Sequence, residues 1–318
     1  MADSSAGIGV IGLGLIGGSL LRALAGSDAG PVRGFDADPR TRDAARRDGF
    51  TVADELGELT DCELLVLAVP LPVLPGLLPR LADYRGLLTD VTSVKAPVEQ
   101  LVARHCPKVR FVGGHPMAGS HSSGFAAGFG ELFTDRVWVL CLAENTDMDD
   151  VLRLGELVCR LGARLVPATA AEHDAAAARI SHVPHVAAAA LTLLARDPLS
   201  RAMAAGSFTD GTRVAATRPE LVTAMCAGNA VAVGAELDRL IAELTAARQR
   251  VSSSEEFRDW YAPAWRLRES WPAEMDDVRS IPVSAQDLLA LGRDGGWICA
   301  VDRAGASVMV RHPKPPVA

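Results

Sequence analysis

A glycine-rich turn near the start of the chain constrains the fold more than any other segment. Residues 8–24 read IGVIGLGLIGGSLLRAL, in which a short β-branched run leads into a GxGxxG spacing and then into an apolar helical pattern. A strand, a turn and a helix in this order form the fingerprint of a dinucleotide site. Gly12 permits the tight turn, Gly14 lets backbone amides approach a pyrophosphate, and Gly17 allows the helix to pack closely on the strand. The residues expected to contact the cofactor here are Gly12, Leu13, Gly14, Leu15, Ile16 and Gly17.

A carboxylate follows the next predicted strand at the spacing that such a site requires. Residues 32–35 are typical of a short strand, and Asp36 comes directly after it, about 20 residues beyond the glycines. A carboxylate there accepts the adenosine ribose hydroxyls and repels a ribose phosphate, so the sequence favours NAD over NADP. The apolar run 64–69 predicts a buried parallel strand, and we expect Val69 and Pro70 at its end to border the cofactor. The alternative is a glycine-rich turn that binds no ligand.

Strands and helices alternate through the first half of the chain. The patterns predict further helices over 39–48, 72–81, 95–105 and 148–161, and further strands over 87–90, 110–112, 137–142 and 164–166. This alternation is typical of an α/β protein with a Rossmann-type doubly wound sheet, whose ligands bind at the carboxyl ends of the strands. We therefore predict an NAD-binding domain over residues 1–167.

The second half is helical and rich in alanine. Residues 169–196 and 220–250 predict two long helices with alanine, leucine and valine around much of the circumference. Such helices need burial against each other or against a second subunit, so we predict an all-helical substrate and dimerisation domain over 168–279. A homodimer is the expected assembly, and an internal helical core in a monomer is the alternative.

Aromatic and strand-like patterns follow towards the end of the chain. Trp260, Trp265 and Trp271 fall in a segment that we expect to pack as a further helix. Residues 280–318 predict a short C-terminal α+β tail with a helix near 286–291 and a hairpin. The sequence assigns no task to this tail.

Composition and charge argue against several classes of function. The chain has 318 residues, of which 49% are hydrophobic and 22% charged, and a net charge of −7, which is typical of a soluble globular protein. No basic stripe or membrane segment is visible, so we expect neither nucleic acid nor a membrane as a partner and a cytoplasmic location. The six cysteines are scattered without a CxxC pair, which favours free thiols over disulfides or a metal site.

One face of the long helix over 169–196 carries polar side chains. At about 100° per residue, Ser181 and His185 each fall within about 20° of Asp174, so the three side chains share one face. Pro184 removes a helical hydrogen bond, so we expect a kink beside them. Polar groups at a kink in an alanine-rich helix need partners, and the alternatives are a polar ligand and a satisfied internal cluster.

Three further side chains lie where chemistry is expected. His115 follows a predicted strand and precedes Pro116, and histidine is the usual general base near neutral pH. Ser93 follows a neighbouring strand, where its hydroxyl is placed to hold one imidazole nitrogen of His115. Arg213 lies on a predicted loop between helices, and its guanidinium offers a fork for a carboxylate. Alone, each is also compatible with a structural or surface role.

Taken together, these segments resemble the prephenate/arogenate dehydrogenase family of tyrosine biosynthesis. The resemblance covers roughly residues 8–250 and is carried in order by GLGLIGGS, LAVP, DVTSVK, GGHPMAGS, EHD with SHVPH, and SFTDGTR. The pairing of GGHPMAGS with EHD and SHVPH is more specific than the nucleotide fingerprint. The resemblance implies a Rossmann domain joined to a helical dimerisation domain, NAD as cofactor, and oxidative decarboxylation of prephenate to 4-hydroxyphenylpyruvate.

The resemblance also implies roles for individual residues. His115 is similar to the catalytic histidine that takes the proton of the substrate's 4-hydroxyl, and Ser93 to the serine that orients it. Arg213 is similar to the arginine that binds a substrate carboxylate. The substrate-binding residues implied in this way are His185, Arg213, Ser181, Asp174 and His121.

The chain departs from the family at three positions around the expected substrate side chain. His121 stands where many members have Glu, Thr209 where many have Lys, and Val222 where many have Trp. These departures leave arogenate, or an amino-deoxy analogue of prephenate, as alternative substrates. A non-catalytic NAD-responsive binding protein is the alternative of another class.

Overall fold

The computed structural model describes residues 7–119, 122–143 and 145–314, which divide into two units. The first unit contains residues 7–173 and 277–312, and the second contains residues 174–276 with 313 and 314. All ten described strands belong to the first unit, and the second is largely helical. The tail beyond 276 therefore belongs mainly to the first unit.

One sheet organises the first unit. Its strands are β1 (Ile8–Ile11), β2 (Val32–Phe35), β3 (Leu64–Leu67), β4 (Leu87–Asp90), β5 (Arg110–Pro116), β6 (Val137–Cys141), β7 (Arg164–Ala168), β8 (Arg279–Pro282), β9 (Trp297–Asp302) and β10 (Ser307–Arg311). They lie in the order β2-β1-β3-β4-β5-β6-β7-β9-β10-β8. The α-helices that begin in this unit are α1 (Leu15–Ala25), α2 (Pro39–Arg47), α3 (Leu74–Leu77), α4 (Ala96–His105), α5 (Met148–Arg160), α6 (Ala170–Ala177) and α13 (Ala285–Arg293).

The predicted Rossmann-type α/β fold is confirmed, and its strand direction first reverses at β6. Neighbouring strands from β2 to β5 run parallel, whereas β5 and β6 are antiparallel and pair His115 with Val139. Two short 3₁₀ turns in the glycine-rich connection, Phe125–Ala127 and Gly130–Phe133, take the place of a crossover helix. A parallel strand requires such a crossover, so the sheet becomes mixed at β6.

Both faces of the sheet are covered, which explains the continuous apolar run in β3. Leu64 and Val66 pack in the cluster that includes Leu20 and Leu21 of α1. Their neighbours Leu65 and Leu67 pack in a second cluster, with side chains of α3 and α4. Since alternate residues of a strand point to opposite faces, each face receives its own apolar pair. Burial of each such side chain contributes about 1.5–3 kcal/mol.

The helix predicted over 72–81 is broken by its prolines. Only the four residues of α3 are α-helical, and 3₁₀ turns flank them at Leu71–Val73 and Leu78–Leu81. Pro75 and Pro79 lack the amide hydrogen that a continuous helix uses, so the continuous prediction was wrong.

The C-terminal tail extends the sheet. The predicted hairpin is present as β9 and β10, and β8, which the sequence did not predict, pairs with β10. Strand β9 joins the edge of β7 through Leu165 and Ile298. Helix α13 packs on β7 so closely that a Cβ at Gly292 would overlap the carbonyl oxygen of Pro167.

The second unit differs from its prediction at two joints. Its helical elements are a π-helix at Ala178–His182, α7 (Val183–Leu194), α8 (Pro198–Ala202), α9 (Gly206–Thr212), α10 (Pro219–Gly228), α11 (Ala230–Arg250) and α12 (Ser254–Glu269). The helix predicted over 220–250 is two helices that meet at 97°, because Asn229 leaves the helical conformation. Among the described residues, no single helix has the length and apolarity to cross a membrane, and only the bent pair of α10 and α11 passes that test together.

The aromatic segment forms the expected helix. Trp260 and Trp265 lie in α12, which packs on α11, and the Trp260 indole donates to Glu243 Oε2 at 3.1 Å. Trp271 follows the end of α12 and is exposed. This helix therefore leaves several of its aromatic side chains at the surface of the chain.

Candidate active site

The glycine turn after β1 has the shape that a pyrophosphate needs. Gly12 has a φ of 91°, which L side chains rarely adopt, and a Cβ at Gly17 would overlap the Gly12 carbonyl oxygen. A Cβ at Gly14, by contrast, would meet no protein atom within 4 Å. Gly12 and Gly17 are thus required by the fold itself. At Gly14 the structure leaves open space beside the helix, which fits the close approach of a phosphate group.

The electrostatics of the same turn favour a dinucleotide. Helix α1 begins at Leu15 without a side-chain cap and without an acidic residue in its first turn, so its amino end presents unmatched N–H groups. Asp36 Oδ2 accepts a hydrogen bond from the Leu13 amide at 2.7 Å, and Oδ1 accepts one from the Asp38 amide at 2.9 Å. These bonds hold the carboxylate beside the turn, where it is placed to accept ribose hydroxyls.

The sequence-predicted residues of the first unit meet at one edge of the sheet. Strands β1, β3, β4 and β5 are parallel, so their carboxyl ends share that edge. Gly12 follows β1, Val69 and Pro70 follow β3, and Ser93 follows β4 by three residues. His115 lies on β5 beyond the residues that pair with β4, and its side chain is half-buried. This edge is where ligands of open α/β sheets bind.

A buried ion pair fixes the backbone just before His115. Asp90 and Lys95 form a salt bridge with both side chains fully buried. Lys95 Nζ also donates to the Gly114 carbonyl oxygen at 2.6 Å, and the Gly114 amide donates to Asp90 Oδ1 at 3.2 Å. Both polar backbone groups of Gly114 are therefore held by one ion pair. A Cβ at this position would lie 2.7 Å from the Asp90 carbonyl oxygen, so the clamp also requires glycine.

The partner of the His115 imidazole is a residue that sequence reasoning missed. His115 Nδ1 lies 2.7 Å from His173 Nε2, with the two ring centroids 5.0 Å apart. The expected partner was Ser93, but among the described residues the structure records no hydrogen bond between its hydroxyl and His115. His173 lies 58 positions further along the chain, so no local pattern links it to His115. Only its place in the EHD motif marked that segment as important.

In the second unit, the structure brings His185 to the segment of Arg213. His185 Nδ1 lies 3.1 Å from the carbonyl oxygen of Val214. A carbonyl only accepts, so Nδ1 carries the proton of this bond and, in the neutral ring, Nε2 is the acceptor nitrogen. Arg213 is exposed, and within the described part of the chain its guanidinium forms no ion pair. Its positive charge is therefore available to a carboxylate.

The segment that carries Arg213 is helical, which corrects the predicted loop. Residues 206–212 form α9, and Arg213–Ala216 continue it as a 3₁₀ turn. The hydroxyls of Thr209 and Thr212 donate to the carbonyl oxygens of Ala205 and Phe208, four residues earlier. These bonds satisfy the hydroxyls within the helix, so the loop-like composition did not produce a loop.

A π-helix replaces the simple proline kink that the sequence predicts. The Val183 amide bonds to the Ala178 carbonyl, five residues earlier, directly before Pro184. Each π turn takes in more residues than an α turn, so the uniform angle that placed Asp174, Ser181 and His185 on one face does not hold across this segment. Such turns are frequent at functional sites.

Asn229 links this π-helix to the joint between α10 and α11. Its Nδ2 donates to the Asp174 carbonyl oxygen at 2.7 Å and lies 3.3 Å from His182 Nδ1. An amide nitrogen only donates, so His182 Nδ1 accepts. Asn229 therefore leaves the helical conformation where its side chain serves the buried His182, and Gly228-Asn229 was a helix-end signal that the sequence analysis did not use.

The remaining expectations concern His121, metals and thiols. His121 lies outside the described residues. The described residues contain no group of three or more His, Cys, Asp or Glu side chains arranged to hold a metal ion. All six cysteines are free, and burial raises the pKa of the Cys159 thiol to about 12.

Comparison with known proteins matches both parts of the chain. The family model described as prephenate dehydrogenase, nucleotide-binding domain, matches residues 22–167, and that described as prephenate dehydrogenase, dimerization domain, matches residues 169–262. A cyclohexadienyl dehydrogenase from Zymomonas mobilis is 32% identical over 262 residues, which cover 78% of this chain and 89% of the relative. The nucleotide-binding model matches the first half of the chain and the dimerization model matches the second half.

Two further relatives point to the same family. A prephenate dehydrogenase from Bacillus subtilis is 34% identical over 66% of this chain, and the match spans 60% of that relative's length. The crystal structure of a putative prephenate dehydrogenase from Corynebacterium glutamicum is 35% identical with a TM-score of 0.78, and covers 85% of this chain and 89% of its own. With the sheet edge and its histidine pair, these findings lead to one conclusion: the chain belongs to the prephenate dehydrogenase family.

Proposed function

We propose that the chain catalyses the NAD-dependent oxidative decarboxylation of prephenate to 4-hydroxyphenylpyruvate, a step of tyrosine biosynthesis. One observation carries the proposal. In a chain of this family, the half-buried imidazole of His115 lies at the carboxyl edge of the nucleotide-binding sheet, on the edge that also holds the glycine turn. A general base near neutral pH is the group that oxidation of a hydroxyl requires at such an edge.

The cofactor is proposed to bind across the turn after β1. Its pyrophosphate lies against the Gly12–Gly17 turn and the amino end of α1, its ribose hydroxyls on Asp36, and Val69 and Pro70 border it. The open space at Gly14 and the uncapped helix support this arrangement. Asp36 repels a ribose phosphate, which favours NAD over NADP. Bound NAD supplies the hydride acceptor for the ring carbon that bears the hydroxyl.

The residues of this chain then hold and deprotonate the substrate. His115 accepts the hydroxyl proton as the carbon–hydrogen bond breaks, and Arg213 binds a carboxylate of the same substrate. The ring carboxylate leaves as CO₂, and the aromatic product makes the step effectively irreversible. Ser93 as a second catalytic residue, and His185, Ser181, Asp174 and His121 in substrate binding, remain part of the proposal.

Arogenate is the second candidate substrate. Thr209 and Val222 stand where many family members carry Lys and Trp, and both positions are near Arg213 in sequence. A changed side-chain pocket alters which end group is accepted and leaves the ring chemistry intact. An amino-deoxy analogue of prephenate is the corresponding alternative at the ring.

We infer that the working form is a homodimer assembled through the helical unit. The dimerization model matches residues 169–262, and large apolar side chains of α7 and α11 are exposed in the single chain, among them Leu194 at 78% and Val231 at 91%. Such exposure favours a partner over a monomeric internal core. We also propose a cytoplasmic location, supported by six free cysteines, which persist in a reducing compartment.

Steady-state rates with prephenate and arogenate, each with NAD and NADP, test the proposal. We expect the highest kcat/KM with prephenate and NAD. A higher value with arogenate would move the assignment to the second candidate. NAD binding without turnover of either substrate would favour a non-catalytic NAD-responsive protein. His115→Asn is expected to lower kcat by roughly 10²–10⁴-fold while NAD affinity stays nearly unchanged, and retained turnover would remove the proposed base.

A further inference from the structure

We propose that His173 is a positioning residue that accepts a hydrogen bond from His115 Nδ1 and so holds His115 in the tautomer able to act as a base at Nε2. This inference rests on the proposed function, because it assigns His115 the role of base. It assigns a role to a residue that the sequence analysis left without one. The carrying observation is the 2.7 Å separation between His115 Nδ1 and His173 Nε2.

The contact fixes how protons are distributed over the two rings. An N–H···N hydrogen bond needs one donor and one acceptor, so the pair holds at most one positive charge while the contact persists. A neutral histidine carries its proton on one nitrogen only. If His115 is to receive a proton on Nε2, its own proton must be on Nδ1, and His173 Nε2 must be the acceptor.

The proton transfer then balances without further groups. The substrate hydroxyl loses its proton to His115 Nε2, a new N–H bond forms, and His115 becomes an imidazolium. Its Nδ1–H bond to the neutral His173 becomes charge-assisted and therefore stronger. His173 neither touches the substrate nor changes its own bonding, and its effect is exerted through His115.

Hydrogen bonds to the neighbouring backbone fix the positions of both histidines. The His115 backbone follows Gly114, whose N–H and C=O groups are bound by the buried Asp90–Lys95 pair. His173 is 3% exposed and lies in the first turn of α6, with its amide bonded to the Thr169 carbonyl at 2.9 Å. A positioning group is effective only when it is itself fixed, and these contacts meet that condition.

A reciprocal cap anchors the first turn of α6. The Thr169 amide donates to Glu172 Oε2 at 3.0 Å, and the Glu172 amide donates to Thr169 Oγ1 at 3.2 Å. Arg293 of α13 donates to the other oxygen of Glu172 at 2.7 Å. The residue directly before His173 therefore ties the helix end to the C-terminal tail.

Two substitutions at His173 distinguish its role as a hydrogen-bond acceptor from a role in packing alone. His173→Leu removes the acceptor, and we expect kcat to fall roughly 10–100-fold with KM changed less than about threefold. His173→Gln restores an acceptor oxygen near the position of Nε2, and we expect it to recover most of that loss. His105→Leu makes the same chemical change on the outer helix α4 and is expected to leave kcat unchanged. Wild-type kcat in His173→Leu, or equal losses in the Leu and Gln variants, would overturn the proposal.

A spectroscopic readout tests the tautomer without any turnover. Histidine ¹⁵N NMR of the whole protein, with the His115 signals assigned from His115→Asn, is expected to show Nδ1–H for neutral His115 in the wild type and in His173→Gln. In His173→Leu the population is expected to move towards Nε2–H. An Nε2–H tautomer in the wild type would refute the proposal. Absence of turnover with every substrate, alongside the Nδ1–H tautomer, would instead refute the proposed function.

Discussion

The two units of the molecule differ in how many large apolar side chains they leave exposed and in how deeply their ion pairs are buried. Of the 18 large apolar side chains that are exposed among the described residues, only Val73, Phe129 and Val278 belong to the first unit. Ion pairs follow the same division. Asp90 and Lys95 are fully buried in the first unit, whereas the Arg179 side chain that pairs with Glu236 in the second is 56% exposed. The sheet unit buries most of its large apolar side chains itself. The helical unit leaves many of them exposed in the single chain, where we propose that a second copy covers them.

Breaking one ion pair in each unit gives the largest expected contrast. Lys95→Met leaves the Asp90 carboxylate buried without its cation, and we expect a loss of about 3–5 kcal/mol in the free energy of unfolding, measured by urea denaturation. Arg179→Met is the comparison variant, with a smaller expected loss, because Arg239 still pairs with the largely buried Glu236 and the Arg179 side chain is more than half exposed. Equal losses in the two variants would contradict the comparison.

Charges placed on the apolar surface of the second unit are expected to separate the subunits. Ile241 and Leu244 of α11 are each 59% exposed. Burial of such a side chain contributes about 1.5–3 kcal/mol, so Ile241→Glu with Leu244→Glu is expected to raise the dimer dissociation constant at least about 100-fold. Light scattering after size exclusion measures the mass. Val278→Glu in the first unit is the control, and a dimer that withstands the α11 changes would place the interface elsewhere.

Two glycines of one turn separate stability from cofactor binding within the first unit. Gly17→Ala is expected to cost roughly 1–3 kcal/mol of stability, because its Cβ would overlap the backbone oxygen of Gly12. Gly14→Ala is expected to melt close to the wild type but to bind NAD about tenfold more weakly, since its methyl group occupies the space proposed for the pyrophosphate. Calorimetry gives both quantities. Unchanged NAD affinity in Gly14→Ala would show that the cofactor avoids this turn.

The smallest expected effect is a pH dependence at the cap of α6. The Thr169 amide, together with Arg293, holds the pKa of Glu172 below its ordinary value. The folded state therefore prefers the carboxylate, and this contribution is present above the unfolded pKa of about 4.3 and is lost as pH falls through the lowered folded value. Glu172→Gln is expected to cost less than about 1 kcal/mol at pH 7, since the side chain is partly exposed.

Unfolding curves of the two proteins at several pH values check this prediction. The difference between wild type and Glu172→Gln is expected to shrink steadily below pH 4. A difference that stayed constant with pH would show that the cap is not stabilised by its charge.

Local sequence patterns were sufficient to predict the strands and helices that bury an apolar run. The strands at 32–35 and 87–90 have the bounds that the sequence predicts, and the glycine turn, Asp36 and His115 lie at the expected edge. Each of these features depends on neighbours within a few residues, or on the rule that parallel strands end together. Such information is contained in the order of residues along the chain.

Contacts between distant segments were beyond the reach of local patterns. The hydrogen bond between His115 and His173 joins residues 58 positions apart. Asn229 bonds to Asp174 and His182, which lie 55 and 47 positions away. The break at Asn229 was missed although Gly228 and Asn229 together form a helix-end signal, because the alanine-rich pattern on both sides favoured one continuous helix. The reversal at β6 depends on a connection whose described residues form no α-helix, which a glycine-rich segment alone does not reveal.

The attachment of the C-terminal hairpin to β7 has a consequence for solubility. A strand at the border of a sheet offers a row of unsatisfied N–H and C=O groups, and these recruit other polypeptides. Strand β9 covers that border through Leu165 and Ile298, and β10 and β8 carry the sheet outward from there. Shortening the protein before residue 279 would expose the edge of β7 as a template for aggregation, so the tail keeps this edge from pairing with other chains.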